Sequence, residues 1–166
     1  MKLFLKIFLP ILILAAISSS IFFIAKSKKL PEKKLTPNNY NLSQRQLKIN
    51  DQILKVELAE TDQQKSDGLS GRVKLDENQG MLFRDFPSDI NLPAFWMKGM
   101  NFDLDLIWIR NNRIVGITPN IPKPTTKNQN KLPLYYPPST IDSVLEVNAG
   151  WSKKHNIKIS DSIVLN

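Results

Sequence analysis

The sequence predicts a small, mainly β domain, sandwich-like or barrel-like, with one or two short helices, preceded by a single N-terminal transmembrane helix. Three observations predict it. Residues 7–25 form a 19-residue run whose only polar members are Ser18, Ser19 and Ser20, and roughly 20 apolar residues in a helix span the hydrocarbon core of a bilayer. From Arg45 onward, short β-branched and aromatic runs alternate with Asn, Asp and Gly turn signals, the pattern of strands joined by turns. Six of the eleven prolines fall within residues 118–140, a stretch that cannot form a central strand because proline has no N–H to donate.

The apolar run is expected to anchor the chain. Pro10 falls in its first turn or so, where a proline costs a helix little. Ala15, Ala16 and Ser18 to Ser20 have the small side chains of a signal-cleavage site. Cutting there would leave Ile21-Phe22-Phe23-Ile24 at the new terminus, so an uncleaved anchor is preferred and a removed signal is the alternative. Lys2, Lys6 and the terminal amine favour a cytoplasmic N-terminus, whereas the five lysines from Lys26 to Lys34 pull the other way. The short basic head has the form of an export signal, so the domain is expected on the extracytoplasmic side of the cell membrane.

Residues 26–44 combine Lys, Pro, Asn and Ser without a period, which is linker composition. Charge follows the same division. Of the net +8, residues 1–44 hold +6, with seven lysines against Glu32, and residues 45–166 only +2. The excess charge therefore lies where it would meet anionic lipid head groups, and the domain shows no basic groove for nucleic acid. The absence of cysteine excludes disulfides, thiolate metal sites and a cysteine nucleophile.

Within residues 45–166, two strands flank Asn50-Asp51. Thr61 with Gln64 predicts a capping box, opening a short helix to about Leu69 that Gly68 and Gly71 close. Residues 80–84 and 94–98 are short apolar runs expected to be strands. Residues 105–118 contain Asn111-Asn112 between two apolar runs, and Asn tolerates positive φ, so a tight hairpin is expected. The proline-rich stretch follows. Residues 140–148 then predict a strand, residues 149–156 a short helix or turn with Asn148 as candidate cap, and the C-terminus a last strand.

Three blocks, GLSGRVKLDENQGMLF (68–83), FWMKGMNFDLDLIWI (95–109) and VLEVNAGWSKKHNIKISDSIVL (144–165), resemble the signature blocks of the domain of unknown function 192 family. The Phe-Trp-Met-Lys run followed by an Asp that opens an apolar strand is the most specific part. The resemblance implies a small, mainly β fold, often behind an export signal or anchor, and no established activity. Gly99, Asp103 and Ser160 depart from the family pattern, which usually has Asn, Pro and Gly there.

Asp105 shares a strand face with Ile107 and Ile109, so it must be paired or hydrogen-bonded. Arg72 and Lys98 are its expected partners. The pair is either structural or tuned for proton transfer or ligand binding. Trp96 beside Lys98 offers an aromatic platform for a sugar ring or another flat ligand, with Tyr135 and Tyr136 placed to close over it; Trp96 as plain core is the alternative, and Trp108 is expected to be core. Glu146 is a candidate second carboxylate for Asp105, and Asn148 a ligand contact or a cap. His155, the only histidine, lies in a polar stretch expected to be a solvated helix end, which leaves no tetrahedral zinc site.

The expected function is a membrane-anchored, extracytoplasmic binding or accessory module without a cofactor, gripping its ligand near Arg72, Trp96, Lys98, Asp105, Tyr135, Tyr136, Glu146 and Asn148. The alternative is a hydrolase-like enzyme using Asp105 and Glu146, with Arg72 or Lys98 stabilising an anion.

Overall fold

A computed structural model describes residues 41–86, 92–126 and 128–166. The apolar run 7–25 and the linker lysines lie outside the described residues. Among those described, no helix is long and apolar enough to cross a membrane.

Seven strands form one sheet: β1 (Gln44–Ile49), β2 (Gln52–Ala59), β3 (Gln79–Arg84), β4 (Leu104–Arg110), β5 (Arg113–Ile121), β6 (Ser143–Asn148) and β7 (Ile163–Leu165), in spatial order β5-β4-β6-β3-β2-β1-β7. Two hairpins come straight from turn chemistry. Asn50 closes β1–β2 at φ 53°, and Asn111 and Asn112 close β4–β5 at 52° and 57°, as expected for a two-residue hairpin turn. β2 and β3 are parallel. Their connection must therefore cross over, and it carries α1 (Asp62–Asp67). The predicted capping box is present, with Thr61 Oγ1 accepting from Gln64 N and Gln64 Oε1 from Thr61 N, and the helix ends at Gly68, whose φ is positive (48°), short of Leu69.

The sheet is a half-barrel, not a two-layer sandwich. Its edges meet at an Arg113–Ser162 bridge, where Ile114 N donates to Asp161 O (2.9 Å) and Ile163 N to Asn112 O (2.9 Å). Alternation then divides the side chains. Leu47, Leu54, Leu82, Ile107, Ile114, Leu145 and Ile163, one from each strand, share an interior cluster with Trp151 of α2 (Trp151–Lys154). Met81, Phe83, Leu104, Leu106, Trp108 and Val144 form a second cluster on the opposite face, covered by loops.

The cover is where expectation and structure part. Residues 94–98 form no strand; they touch the proline-rich stretch through a single Phe95–Tyr135 bridge. That stretch docks by packing, with Pro138 lying against Gly116, where a Cβ would meet Pro138 Cγ at 2.6 Å. Pro119 sits in β5, an edge strand, where its missing donor costs no ladder bond. Trp108 is core as expected, and its Nε1 donates to Thr118 Oγ1 (2.9 Å).

Candidate functional site

The covered face carries two carboxyls. Leu54, Val56 and Leu58 of β2 point inward, so Glu57 lies on the other face. Glu57 stands opposite Met81, and Met81 opposite Glu146 of β6, which sets the two acids two strands, about 10 Å, apart. Arg72 reaches in from the loop after α1, its Nη2 2.5 Å from Glu57 Oε2, and its charge also acts on Glu146. The loop is held from two sides: Gly71 N donates to Gly99 O (2.8 Å) and Asn101 Nδ2 to Arg72 O (2.8 Å).

Glu146 is only 6% exposed and makes no hydrogen bond to any described residue. Burial disfavours its charged form and holds its pKa up at about 8, against an ordinary 4.5, with Arg72 pulling it back down. Near pH 7 the group is thus mostly a neutral acid, with one O–H to donate and oxygen lone pairs to accept.

Glu146 opens on a cleft of about 340 Å³, within the range of small-molecule sites. One wall is α1 and its following turn, bearing Asp62, Ser66, Asp67 and Ser70. The other is residues 93–98, with Phe95 and Trp96, and Phe83, Phe86 and Met100 complete it. Ser70 Oγ is buried without a hydrogen-bond partner among the described residues. Two ammonium groups lie on aromatic faces, Lys65 over Phe86 and Lys98 over Trp96, each 5.0 Å from the ring centroid, a favourable arrangement of a cation on a ring quadrupole.

Of the residues expected at a site, the structure brings Trp96, Lys98 and Glu146 to this cleft, while Arg72 is outside its lining, paired with Glu57 and close enough to act on Glu146. Trp96, 43% exposed, is not core. Tyr135 is bound through its backbone to Phe95, Tyr136 projects outward, and neither lines the cleft. Asn148 does not cap α2, whose N-cap is Gly150; its Nδ2 donates to the Leu75 and Asp76 carbonyls (2.9 and 3.2 Å) and pins that loop.

Asp105 is elsewhere. It shares the interior face with Ile107 and Ile109, as the alternation requires, and is 0% exposed. Arg72 and Lys98 are not its partners, because both serve the opposite face. Three backbone amides replace them: Asn120 N and Gly150 N donate to Oδ1 (2.8 and 2.9 Å), and Ser152 N to Oδ2 (3.0 Å). Asp105 therefore caps α2 from a strand 45 residues away in sequence, satisfying N–H groups that a helix start leaves unpaired. Facing opposite sides of the sheet, Asp105 and Glu146 do not converge on one substrate, so the acid pair of the hydrolase-like alternative is not assembled. His155 is half-buried against Trp151, ring centroids 4.6 Å apart, instead of solvated.

Sequence reasoning missed Glu57 and Ser70. Period-two alternation along β2 places Glu57 opposite its apolar neighbours, but such a residue ordinarily faces water. Only the covering loops, through Arg72, make it part of a half-buried ion pair.

Fold and site together define a small β half-barrel with a polar-floored aromatic cleft on its loop-covered face. The chain belongs to the DUF192 family (uncharacterized ACR), whose profile matches residues 45–165. No curated protein matches it. Among solved structures, it is similar to a candidate transcription regulator from Sinorhizobium meliloti 1021, at 23% identity and TM-score 0.65 over 76% of this chain and 96% of that one. It is also similar to a protein of unknown function from Novosphingobium aromaticivorans DSM 12444, at 24% identity and TM-score 0.60 over 74% and 84% of the two chains. At these identities the likeness concerns the fold alone.

Proposed function

We propose that the chain is a membrane-anchored, single-pass binding module whose domain lies on the extracytoplasmic side and takes a small ligand in the cleft above Glu146. One observation carries the reading: Glu146, a residue only 6% exposed and without a hydrogen bond to any described residue, lines an aromatic cleft of small-molecule size. Buried polar groups are nearly always satisfied, and a ligand is the partner this one lacks. Anchoring rests on residues 7–25, with Lys26 to Lys34 placed to meet anionic head groups.

The test is a metabolite screen on the full chain in detergent, read by thermal stability, with protease accessibility of the domain in intact cells. A stabilising ligand whose effect disappears in Trp96→Ala is the expected result. A screen without such a ligand counts against the cleft, and a domain shielded from external protease in cells with a permeable outer layer overturns its placement.

A further inference from the structure

We infer that the cleft binds the ring of an uncharged saccharide, its hydroxyls on Glu146 and Ser70 and its C–H face on Trp96. This rests on the reading of the domain as a binding module and names the class of ligand.

Charge excludes most other classes. The cleft lining sets two acids, Asp62 and Asp67, against two lysines, Lys65 and Lys98, so its walls carry no net charge to select an ion of either sign. Both lysines are already seated on rings that line the cleft. An ion of either sign would also be desolvated at the floor without a counter-charge, which is costly. The ligand is therefore neutral.

A purely apolar ligand fails for another reason. It would seal Glu146 from water with no partner, at a cost of about 1–3 kcal/mol, and would leave the already buried Ser70 hydroxyl still unpartnered. What reaches the floor must offer a donor and an acceptor close together, as neighbouring hydroxyls do.

The walls set the rest of the ligand's shape. Short oxygen-bearing side chains, Asp62, Ser66, Asp67 and Ser70, line one side, and the rings of Phe95 and Trp96 line the other. A pyranose ring has this division of chemistry. Its edge is hydroxyl-rich, and its C–H groups, partially positive, meet the negative face of an aromatic ring. Lys98 covers one part of the Trp96 ring, and at 43% exposure the indole keeps further surface for such stacking.

The test uses the full chain in a detergent without a sugar head group, titrated with glucose, N-acetylglucosamine and the disaccharide of each. Tryptophan fluorescence reports the site, because Trp108 and Trp151 are buried and Trp96 is not. The expected result is a saturable response to at least one saccharide. Ser70→Ala should weaken it about tenfold, the equivalent of one lost hydrogen bond. Calorimetry should detect the same binding, lost in Trp96→Ala and kept in Trp96→Phe, with the near-ultraviolet dichroism of Ser70→Ala confirming that the fold survives.

Benzoate, cyclohexylammonium and toluene are titrated alongside. If one of these binds in a Trp96-dependent way and no saccharide does, the saccharide inference falls and the binding module stands. If nothing in either set binds, the inference is overturned. A saccharide response unchanged in both Ser70→Ala and Trp96→Ala overturns it equally, since the sugar would then sit elsewhere.

Discussion

Glu146→Gln should make the domain more stable, by an amount that grows with pH. The carboxyl titrates near 4.5 when unfolded and at about 8 when folded. Between those values the folded chain holds a proton that the unfolded chain has released, so each pH unit removes roughly 1.4 kcal/mol of stability. The contribution is fully present below pH 4.5 and is lost as pH rises through about 8. Carried to its end, the loss is about 5 kcal/mol, on the scale of the entire 5–15 kcal/mol that holds a typical domain together. With only 6% exposure, solvent screening takes little from that figure. Gln fills nearly the same volume and has no proton to lose. Urea denaturation of both proteins should show a small difference near pH 5, about 3 kcal/mol near pH 7 and about 5 kcal/mol near pH 9. A difference that stays constant across this range would refute the reasoning, because it would mean that Glu146 is as readily ionised inside the fold as in water.

Two further substitutions examine the frame around the site. Asp105→Ala leaves the amides of Asn120, Gly150 and Ser152 without their acceptor; a loss of about 3–5 kcal/mol is expected in urea, and a loss under about 1 kcal/mol would show that water or a backbone shift replaces the carboxylate. Gly116→Ala drives a methyl into Pro138 and Trp108; a cost of about 1–3 kcal/mol is expected, together with a changed Trp108 emission, and unchanged emission would mean that the proline-rich stretch does not dock there.

How much of this was legible beforehand varies from residue to residue. The hairpin at Asn111-Asn112 and the capping box at Thr61–Gln64 were readable because they are local: the tolerance of Asn for positive φ and the reach of a Thr hydroxyl depend on a few neighbouring residues. The placement of Asp105 beside Ile107 and Ile109 was readable for the same reason, since alternation belongs to a single strand. Its partners were not, because they are backbone amides of β5 and α2, and no side-chain identity in the sequence advertises them.

The amino-acid order by itself thus determined a β-rich domain, its turns and its family resemblance, and it singled out Trp96, Lys98 and Glu146, which the fold brings to one cleft. Tertiary structure alone decided that β2 and β3 run parallel, that the sheet curls until its two ends touch at one isolated bridge, and that Asp105 and Glu146 face opposite sides of it. The physical reason is that strand pairing across long sequence separations sets which faces are covered. Covering converts an ordinary surface glutamate into a neutral acid at the floor of a cleft.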